Sequence, residues 1–341
     1  MPADGTPLPR DRHVLFGQDE PAGALRAAAS AGRLHHAWLL GGPEGVGKAT
    51  LAYRFARWLL APESERIVGG DGLAVDPQGR TARQVSAGSH PNLVVLERLA
   101  PDGGKAPPRT ISVDTVRRSL AFFGTTSADG GHRICIVDPV EDLTLNGANA
   151  LLKTVEEPPA GALILLVSHR PQQVLPTIRS RCRKLALSAL RPDDVERALA
   201  TLGGAMVDGP ARAKAAATAD GSVGQAVALL EPKRLALLDE IGALLAELPH
   251  VPTRKVLALA DKLADRRAEA EFPLALDAVQ RWLGARVAAG QGGGVRRLAP
   301  LAEACEKILD DARSVEVYNL DRRPFILSMF EDLAAAARRS S

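Results

Sequence analysis

The stretch AWLLGGPEGVGKATLAYRFARWLL (37–60) constrains the fold of this 341-residue chain more than any other. It begins with the short apolar run AWLLG (37–41), which predicts a buried strand. After a glycine-rich segment, apolar residues recur at Leu51, Phe55 and Leu59, a spacing of four that predicts a helix. A strand, a glycine-rich loop and a helix in this order are the structural context of a phosphate-binding loop.

The loop carries most of the residues that such a site requires. It runs G-P-E-G-V-G-K-A, whereas the phosphate-loop pattern has Ser or Thr after the lysine. In such a loop, backbone N–H groups surround phosphate oxygens and the lysine adds positive charge. Alanine cannot supply the usual hydroxyl ligand for magnesium, so no metal is predicted. The predicted nucleotide contacts are Gly42, Gly45, Gly47, Lys48, Ala49 and Thr50. The simpler alternative is a glycine-rich turn with a surface lysine.

Further along the chain, apolar runs alternate with helical patterns. Strands are predicted over 92–97, 133–138, 163–167 and 183–187. Helices are predicted over 110–123, with Ser112 as N-cap, and over 144–159, where two prolines end the pattern. This alternation favours an α/β fold with a parallel sheet covered on both faces. Residues 62–89 are polar and glycine-rich and are predicted to be a loop or small excursion.

Strand patterns stop after about residue 188, which sets the predicted domains. Residues 189–232 indicate short helices joined by turns at Gly203–Gly204 and Gly209–Pro210. The remainder is helical apart from a loop at GQGGG (290–294). We therefore predict an α/β domain, a small helical domain and a helical C-terminal domain over 1–187, 188–232 and 233–341.

Composition narrows the class of protein. The 46% hydrophobic and 24% charged content is typical of a soluble globular chain, and a net charge of +3 permits nucleic-acid contact without demanding it. The widely spaced Cys135, Cys182 and Cys305 argue against a disulfide framework and indicate a reducing cytosol. The first residues lack the apolar core of a signal peptide, and no apolar run is long enough to cross a membrane. A cytoplasmic location is expected.

Asp138 is a candidate for the acid that nucleotide-hydrolysing enzymes place at the end of a buried strand. It directly follows the apolar residues of 133–137. In active ATPases of this kind the next residue is usually a glutamate that orients the attacking water, but here it is Pro139. Glu141 follows too late to lie on the strand end. The alternative is that Asp138 only terminates the strand or caps a helix.

Four longer stretches carry a resemblance to a known family. They are LFGQDE (15–20), GRLHHAWLLGGPEGVGKATLAYRFA (32–56), the region 138–182 with ALLKTVEEPP and SRC, and NLDRRPFILSMFEDLA (319–334). Together they resemble the clamp-loader branch of the AAA+ ATPases, found in bacterial DNA polymerase III. The resemblance implies a RecA-like P-loop domain, a three-helix lid and a helical collar that holds five subunits in a ring. It also implies gamma/tau and delta subunits as partners, and access through the complex to the sliding clamp and primed DNA.

The resemblance gives Ser180-Arg181-Cys182 a role: it is similar to the family element that presents an arginine finger to ATP on a neighbouring subunit. A planar guanidinium suits phosphate oxygens. The alternative is a solvated basic face formed by alternating arginines. Ser168 stands where the family places a polar sensor of the γ-phosphate. Many relatives carry a four-cysteine zinc module after the first helix, but residues 62–89 contain no cysteine, so no zinc is predicted.

Three departures from the pattern of active subunits point the same way: Ala49, Pro139 and Gln225, which replaces a sensing arginine. They favour a clamp-loader subunit that does not hydrolyse ATP and instead offers Arg181 to a neighbour in the replisome at the nucleoid. Binding of ATP or ADP without hydrolysis is left open. The alternative is an active gamma/tau-like or other AAA+ ATPase in which Thr50 and Glu141 replace the missing groups. An independent DNA-binding protein is a third hypothesis, which the modest charge disfavours.

Overall fold

A computed structural model describes residues 7–69, 72–98, 110–124, 131–202, 208–265, 271–289, 295–317 and 320–340. The chain divides into two compact units, Met1–Leu230 and Glu231–Ser341. The predicted boundaries of three domains stay predictions. The predicted turn at Gly203–Gly204 and the predicted loop over 290–294 lie outside the described residues.

The first unit is built on a parallel sheet. Its strands are β1 (Ala37–Gly41), β2 (Leu93–Leu96), β3 (Arg133–Val137), β4 (Ala162–Ser168) and β5 (Arg183–Ala186). They lie in the order β2-β3-β4-β1-β5, and every neighbouring pair is parallel. All five correspond to predicted strands, so the predicted α/β fold is confirmed. Gly41 pairs with Ser168 and Val137 with Leu166, so the ends of β1, β3 and β4 meet at one edge.

Helices cover both faces of this sheet. The helices of the first unit are α1 (Asp19–Ser30), α2 (Lys48–Leu60), α3 (Arg80–Ser86), α4 (Val113–Leu120), α5 (Leu145–Glu156), α6 (Pro176–Arg179), α7 (Pro192–Thr201), α8 (Gly209–Thr218) and α9 (Val223–Leu229). Alternate residues of β1 enter different apolar clusters, Trp38 with Phe55 of α2 and Leu39 with Leu151 of α5. This alternation follows from the two-residue period of a strand.

Side-chain caps define two of the predicted helices. Ser112 Oγ accepts a hydrogen bond from Thr115 N at the start of α4, as predicted, and Thr144 Oγ1 does the same for Gly147 N at α5. The turn predicted at Gly209–Pro210 was wrong, because α8 begins there. Proline fits the first helical turn, where its missing N–H would have no partner.

The cysteine-free segment 62–89 is more ordered than the sequence predicted. Both oxygens of Glu65 accept hydrogen bonds at the start of α3, from Arg80 N at 3.0 Å and Thr81 N at 3.1 Å. The Arg66 guanidinium lies 4.6 Å from the centre of the Trp58 ring. Leu73, Val75 and Val85 are buried. A carboxylate cap and a small apolar contact therefore stabilise this segment.

The described residues of the second unit form five helices with short non-helical segments between them, so the predicted helical C-terminal region is confirmed. Its helices are α10 (Pro232–Ala246), α11 (Thr253–Ala264), α12 (Glu271–Ala289), α13 (Val295–Val317) and α14 (Arg322–Ser340). They share one apolar core, in which the Phe272 and Phe325 rings meet edge to face at 5.8 Å. Within the described ranges, none of the helices combines the length and the hydropathy needed to cross a membrane.

Candidate nucleotide site and the exposed arginine

The predicted phosphate loop joins β1 to α2 at the carboxyl edge of the sheet. α2 begins at Lys48, and Gly47 immediately before it has φ +98°. Gly45 has φ +76°, a left-handed backbone conformation that residues with a side chain rarely adopt. The structure therefore has the strand, loop and helix that the sequence predicted, with glycine where the backbone requires it.

Lys48 is buried in this loop and binds the loop itself. Its side-chain Nζ donates to the carbonyl oxygen of Gly42 at 2.8 Å and to that of Pro43. Burial lowers the pKa of Lys48 to about 8, while the negative charges of Asp138 and Glu44 act in the opposite direction. The two carbonyl groups therefore compete with any phosphate group for the N–H donors of this lysine.

The first residue after the lysine offers no metal ligand, and the second lines a cavity beside the loop. Ala49 has only a methyl group, and Thr50 is buried, 4% exposed. Thr50 lines a cavity of about 240 Å³ together with Gly47, Val223 and Leu15. Its side chain therefore belongs to the wall of this cavity. In the ranges that the structure describes, no group of three or more His, Cys, Asp or Glu side chains could hold a metal ion.

Two buried arginines of α2 fix the N-terminal segment, which forms another wall of that cavity. Arg57 donates to the carbonyl oxygens of Arg10 at 2.6 Å and Arg12 at 3.2 Å, and Arg54 donates to that of His13. Burial, followed by the nearby charge of Arg54, lowers the pKa of Arg57 to about 10. Sequence reasoning missed this contact, because arginine on a helix usually indicates a solvated face.

Asp138 lies at the same edge of the sheet, immediately after β3. Burial raises the pKa of Asp138 to about 6, and the charge of Glu97 adds to the increase. The charge of Lys48 lowers the same pKa. The strand-end acid and the loop lysine are thus close enough for the charge of each to shift the pKa of the other. Pro139, which follows, has no proton to exchange.

Ser168, the predicted γ-phosphate sensor, is fully buried at the end of β4. Its hydroxyl donates to Glu141 Oε1, and Arg170 N donates to the same oxygen at 2.8 Å. Burial alone would raise the pKa of Glu141, but these hydrogen bonds lower it overall. No sequence pattern predicted this pairing between residues on different elements. Glu141 Oε1 is therefore engaged by Ser168 and Arg170 N, while its Oε2 is buried and has no hydrogen-bond partner among the described residues.

The start of α9 lies directly against the glycine loop. Val223 N donates to the carbonyl oxygen of Gly45 at 3.0 Å. Ser222 Oγ caps α9 by accepting from Gln225 N at 3.2 Å. A β-carbon on Gly45 would lie only 2.1 Å from Ser222 Oγ. The Gln225 residue is exposed, and its neutral amide cannot neutralise phosphate charge.

Arg181 lies between α6 and β5 and is not part of this loop. Its side chain is 42% exposed, and its Nη2 forms an ion pair with Glu156 Oε1 at 2.9 Å. Its Nη1 donates to the carbonyl oxygen of Thr177 at 3.0 Å and lies 3.5 Å from Ser180 Oγ. Burial raises the pKa of the adjacent Cys182 thiol to about 11, which makes it a poor nucleophile. The guanidinium is thus exposed and anchored at the same time.

Comparison with known proteins shows which family the sequence of this chain matches. The family model described as DNA polymerase III, delta subunit, matches residues 17–191. A DNA polymerase III subunit delta' from Pseudomonas aeruginosa is 40% identical over 147 residues, which are 43% of this chain and 41% of that protein. The Escherichia coli subunit delta' is 37% identical over 161 residues, 47% of this chain and 44% of that protein. A subunit gamma/tau from Mycobacterium bovis is 33% identical over 191 residues, 55% of this chain and 30% of that protein.

These matched segments span less than half of the length of the relatives. The range 17–191 contains the five strands, the glycine loop, Asp138, Ser168 and Arg181. The similarity therefore covers the sheet edge and the exposed arginine described above. On this evidence, the chain belongs to the delta-prime family of bacterial DNA polymerase III, in the clamp-loader branch of the AAA+ ATPases.

Proposed function

We propose that this chain is a clamp-loader subunit of the DNA polymerase III holoenzyme that does not hydrolyse ATP itself. It assembles with gamma/tau and delta subunits in a five-subunit ring that loads the sliding clamp on primed DNA during chromosomal replication. Arg181 completes the ATP site of a neighbouring subunit. The similarity to subunits delta' and gamma/tau supports the clamp-loader part of this proposal.

The position of Glu141 is the observation that carries the non-hydrolysing part. Because Pro139 occupies the usual place of the catalytic acid, Glu141 would have to orient the attacking water. Its Oε1 instead accepts hydrogen bonds from Ser168 and Arg170 N. Loss of a positioned general base typically costs ~10²–10⁴ in rate. Ala49 in addition removes the hydroxyl that would bind magnesium.

The exposure of Arg181 supports a role outside the chain's own loop. A guanidinium that is 42% exposed and anchored by its neighbours can reach a group on another subunit. An arginine supplied in trans contributes ~10³–10⁵ in rate in well-studied phosphoryl-transfer systems. Under this proposal the chain's own nucleotide site does not hydrolyse ATP, whereas Arg181 acts at the ATP site of the neighbouring subunit.

Nucleotide binding without hydrolysis is part of the same proposal. The loop keeps Lys48 and the left-handed conformations of Gly45 and Gly47, and the cavity of about 240 Å³ adjoins it. ATP or ADP would bind there through the backbone N–H groups of the loop. Equilibrium titration with a fluorescent nucleotide, with Lys48→Ala as control, tests this. Equal affinity of the two proteins, or no binding, contradicts it.

Two rate measurements test the proposed function. The isolated chain is expected to show no ATP turnover above background. Arg181→Ala, reconstituted with its partner subunits, is expected to assemble normally and to lose part of the clamp- and DNA-stimulated ATPase. Robust turnover by the isolated chain that Lys48→Ala abolishes would instead establish the alternative, an active gamma/tau-like or other AAA+ ATPase. Unchanged ATPase in an intact complex with Arg181→Ala would exclude the arginine-finger role.

A further inference from the structure

Glu156 is the last residue of α5, and its carboxylate holds the guanidinium of Arg181 at 2.9 Å. We infer that Glu156 is a positioning residue, which orients Arg181 toward nucleotide bound by the neighbouring subunit. This inference rests on the proposed function of Arg181. Under this inference the hydrolysis rate of the neighbouring subunit depends on Glu156 as well as on Arg181.

The location of Glu156 explains why the arginine is drawn to it. The C-terminus of a helix carries partial negative charge on its unpaired carbonyl groups, so a cation is favoured there. The carboxylate of Glu156 in the last turn increases this local negative charge. Within the described ranges neither Glu156 nor Glu157 forms an ion pair with Lys153, three or four residues earlier, so Arg181 is the cation that balances Glu156.

The remaining contacts fix the orientation of the guanidinium plane. Nη2 binds Glu156, while Nη1 binds the carbonyl oxygen of Thr177 on α6 and approaches Ser180 Oγ. A guanidinium has five N–H donors. In the part of the chain that the structure describes, Nε–H and one Nη2–H have no partner. These two donors are available to phosphate oxygens of a nucleotide outside the chain.

The ion pair orients Arg181 and still leaves its guanidinium able to bind a phosphate group. Both side chains are about two-fifths exposed, 42% for Arg181 and 39% for Glu156, and exposed ion pairs contribute little net free energy. A triphosphate that carries several negative charges is therefore not excluded by one carboxylate. The benefit is entropic, because a long side chain held in one geometry loses less freedom when it contacts the phosphate. Removing the anchor should lower the rate about three- to tenfold, the size expected for one freed side chain.

The test uses the reconstituted clamp-loader complex and its clamp- and DNA-stimulated ATPase. Glu156→Ala is expected to lower kcat about three- to tenfold with KM for ATP changed less than about twofold. Glu156→Gln keeps an acceptor for Nη2 and is expected to restore most of kcat. Glu156→Asp, which withdraws the carboxylate by one methylene, is expected to give an intermediate kcat. The matched control is Glu157→Ala, which removes the same charge from the same helix end and should leave kcat near that of wild type.

The Arg181→Ala variant separates this inference from the proposed function. If Arg181→Ala leaves the ATPase unchanged, the proposed function fails. If Arg181→Ala lowers it while both Glu156→Ala and Glu156→Asp leave it unchanged, the inference alone is overturned. A rise in kcat with Glu156→Ala also overturns it, because Glu156 would then restrain the arginine. Adding Glu156→Ala to Arg181→Ala should produce no further loss, and an additional loss would indicate a structural role instead.

Discussion

Replacement of Gly45 by alanine has a cost that can be worked out from the contact between the glycine loop and α9. Gly45 has φ +76°, and its carbonyl oxygen accepts the N–H of Val223. An added β-carbon would lie 2.1 Å from Ser222 Oγ and 3.0 Å from Gly224 N. Contacts this short require movement of Ser222, of the loop, or of both.

Two contributions set the loss of unfolding free energy expected for Gly45→Ala. Alanine in the left-handed conformation costs about 1–2 kcal/mol. Moving Ser222 Oγ out of the way removes the hydrogen bond from Gln225 N that caps α9, and loss of an N-cap costs about 0.5–2 kcal/mol. We therefore expect Gly45→Ala to lower the free energy of unfolding by about 1.5–4 kcal/mol.

Two other glycines provide matched controls. Gly32 has φ +64° with nothing within 4 Å of an added β-carbon, so Gly32→Ala should show the backbone cost of about 1–2 kcal/mol alone. Gly23 lies within α1 with open space around it, and Gly23→Ala should stabilise by about 0.5–1 kcal/mol. Urea unfolding of the full chain measures each change, with the transitions of the two compact units fitted separately. Native-state hydrogen exchange of α9 then locates the effect.

A double variant tests whether the clash with Ser222 is the cause. Glycine at an N-cap position costs only a few tenths of a kcal/mol, so Ser222→Gly removes the obstacle and largely keeps the cap. Gly45→Ala combined with Ser222→Gly should regain up to about 1.5 kcal/mol over Gly45→Ala alone, which is the cap contribution less the few tenths that glycine costs. If Gly45→Ala costs no more than Gly32→Ala, or the double variant regains nothing, the proposed contact between loop and α9 is refuted.

Two further predictions concern other parts of the first unit. Glu65→Ala should lower the free energy of unfolding by about 1–2 kcal/mol and speed hydrogen exchange in α3, because Arg80 N and Thr81 N lose their acceptor; unchanged exchange would contradict the cap. Asp138→Asn should stabilise the chain more at about pH 7.5 than at about pH 4, as measured by urea midpoints. The raised pKa of about 6 means that the folded state holds this proton while the unfolded state releases it near pH 4, so wild-type stability falls between these values. An equal difference in stability between Asp138→Asn and the wild-type chain at both pH values would exclude the raised pKa of Asp138.

The sheet and its connection to the loop were predictable from sequence because buried parallel strands form continuous apolar runs. The runs at 133–138 and 163–167 became β3 and β4, and the run before the glycines became β1. Local chemistry predicted the cap at Ser112 equally well, since its partner is only three residues away. Such predictions depend on residues a few positions apart or on a regular spacing of apolar residues, and both can be recognised in the sequence.

Contacts between a side chain and a distant backbone carbonyl were not predictable. Arg57 binds the carbonyl oxygens of residues 45 and 47 positions earlier, and any residue offers such an acceptor. The pairing of Glu141 with Ser168, 27 residues apart, depends on β3 and β4 lying side by side and on the conformation of the segment after Pro139. No periodicity marks such a contact. The sequence therefore located the groups of the candidate site but not which of them bind each other.

The hydrogen bonds of Lys48 and Glu141 within the chain limit what a single substitution could restore. Under the proposal, Ala49, Pro139 and Gln225 each remove one element of phosphoryl transfer, and residues that act as a unit have strongly non-additive effects. Lys48 donates to loop carbonyls and Glu141 Oε1 accepts from Ser168, so both groups are engaged within the chain. Restoring a hydroxyl at position 49 would leave Pro139 in place and Glu141 occupied. In contrast, Arg181 keeps two N–H donors without a partner among the described residues, and under the proposal that is where the chain retains a part in catalysis.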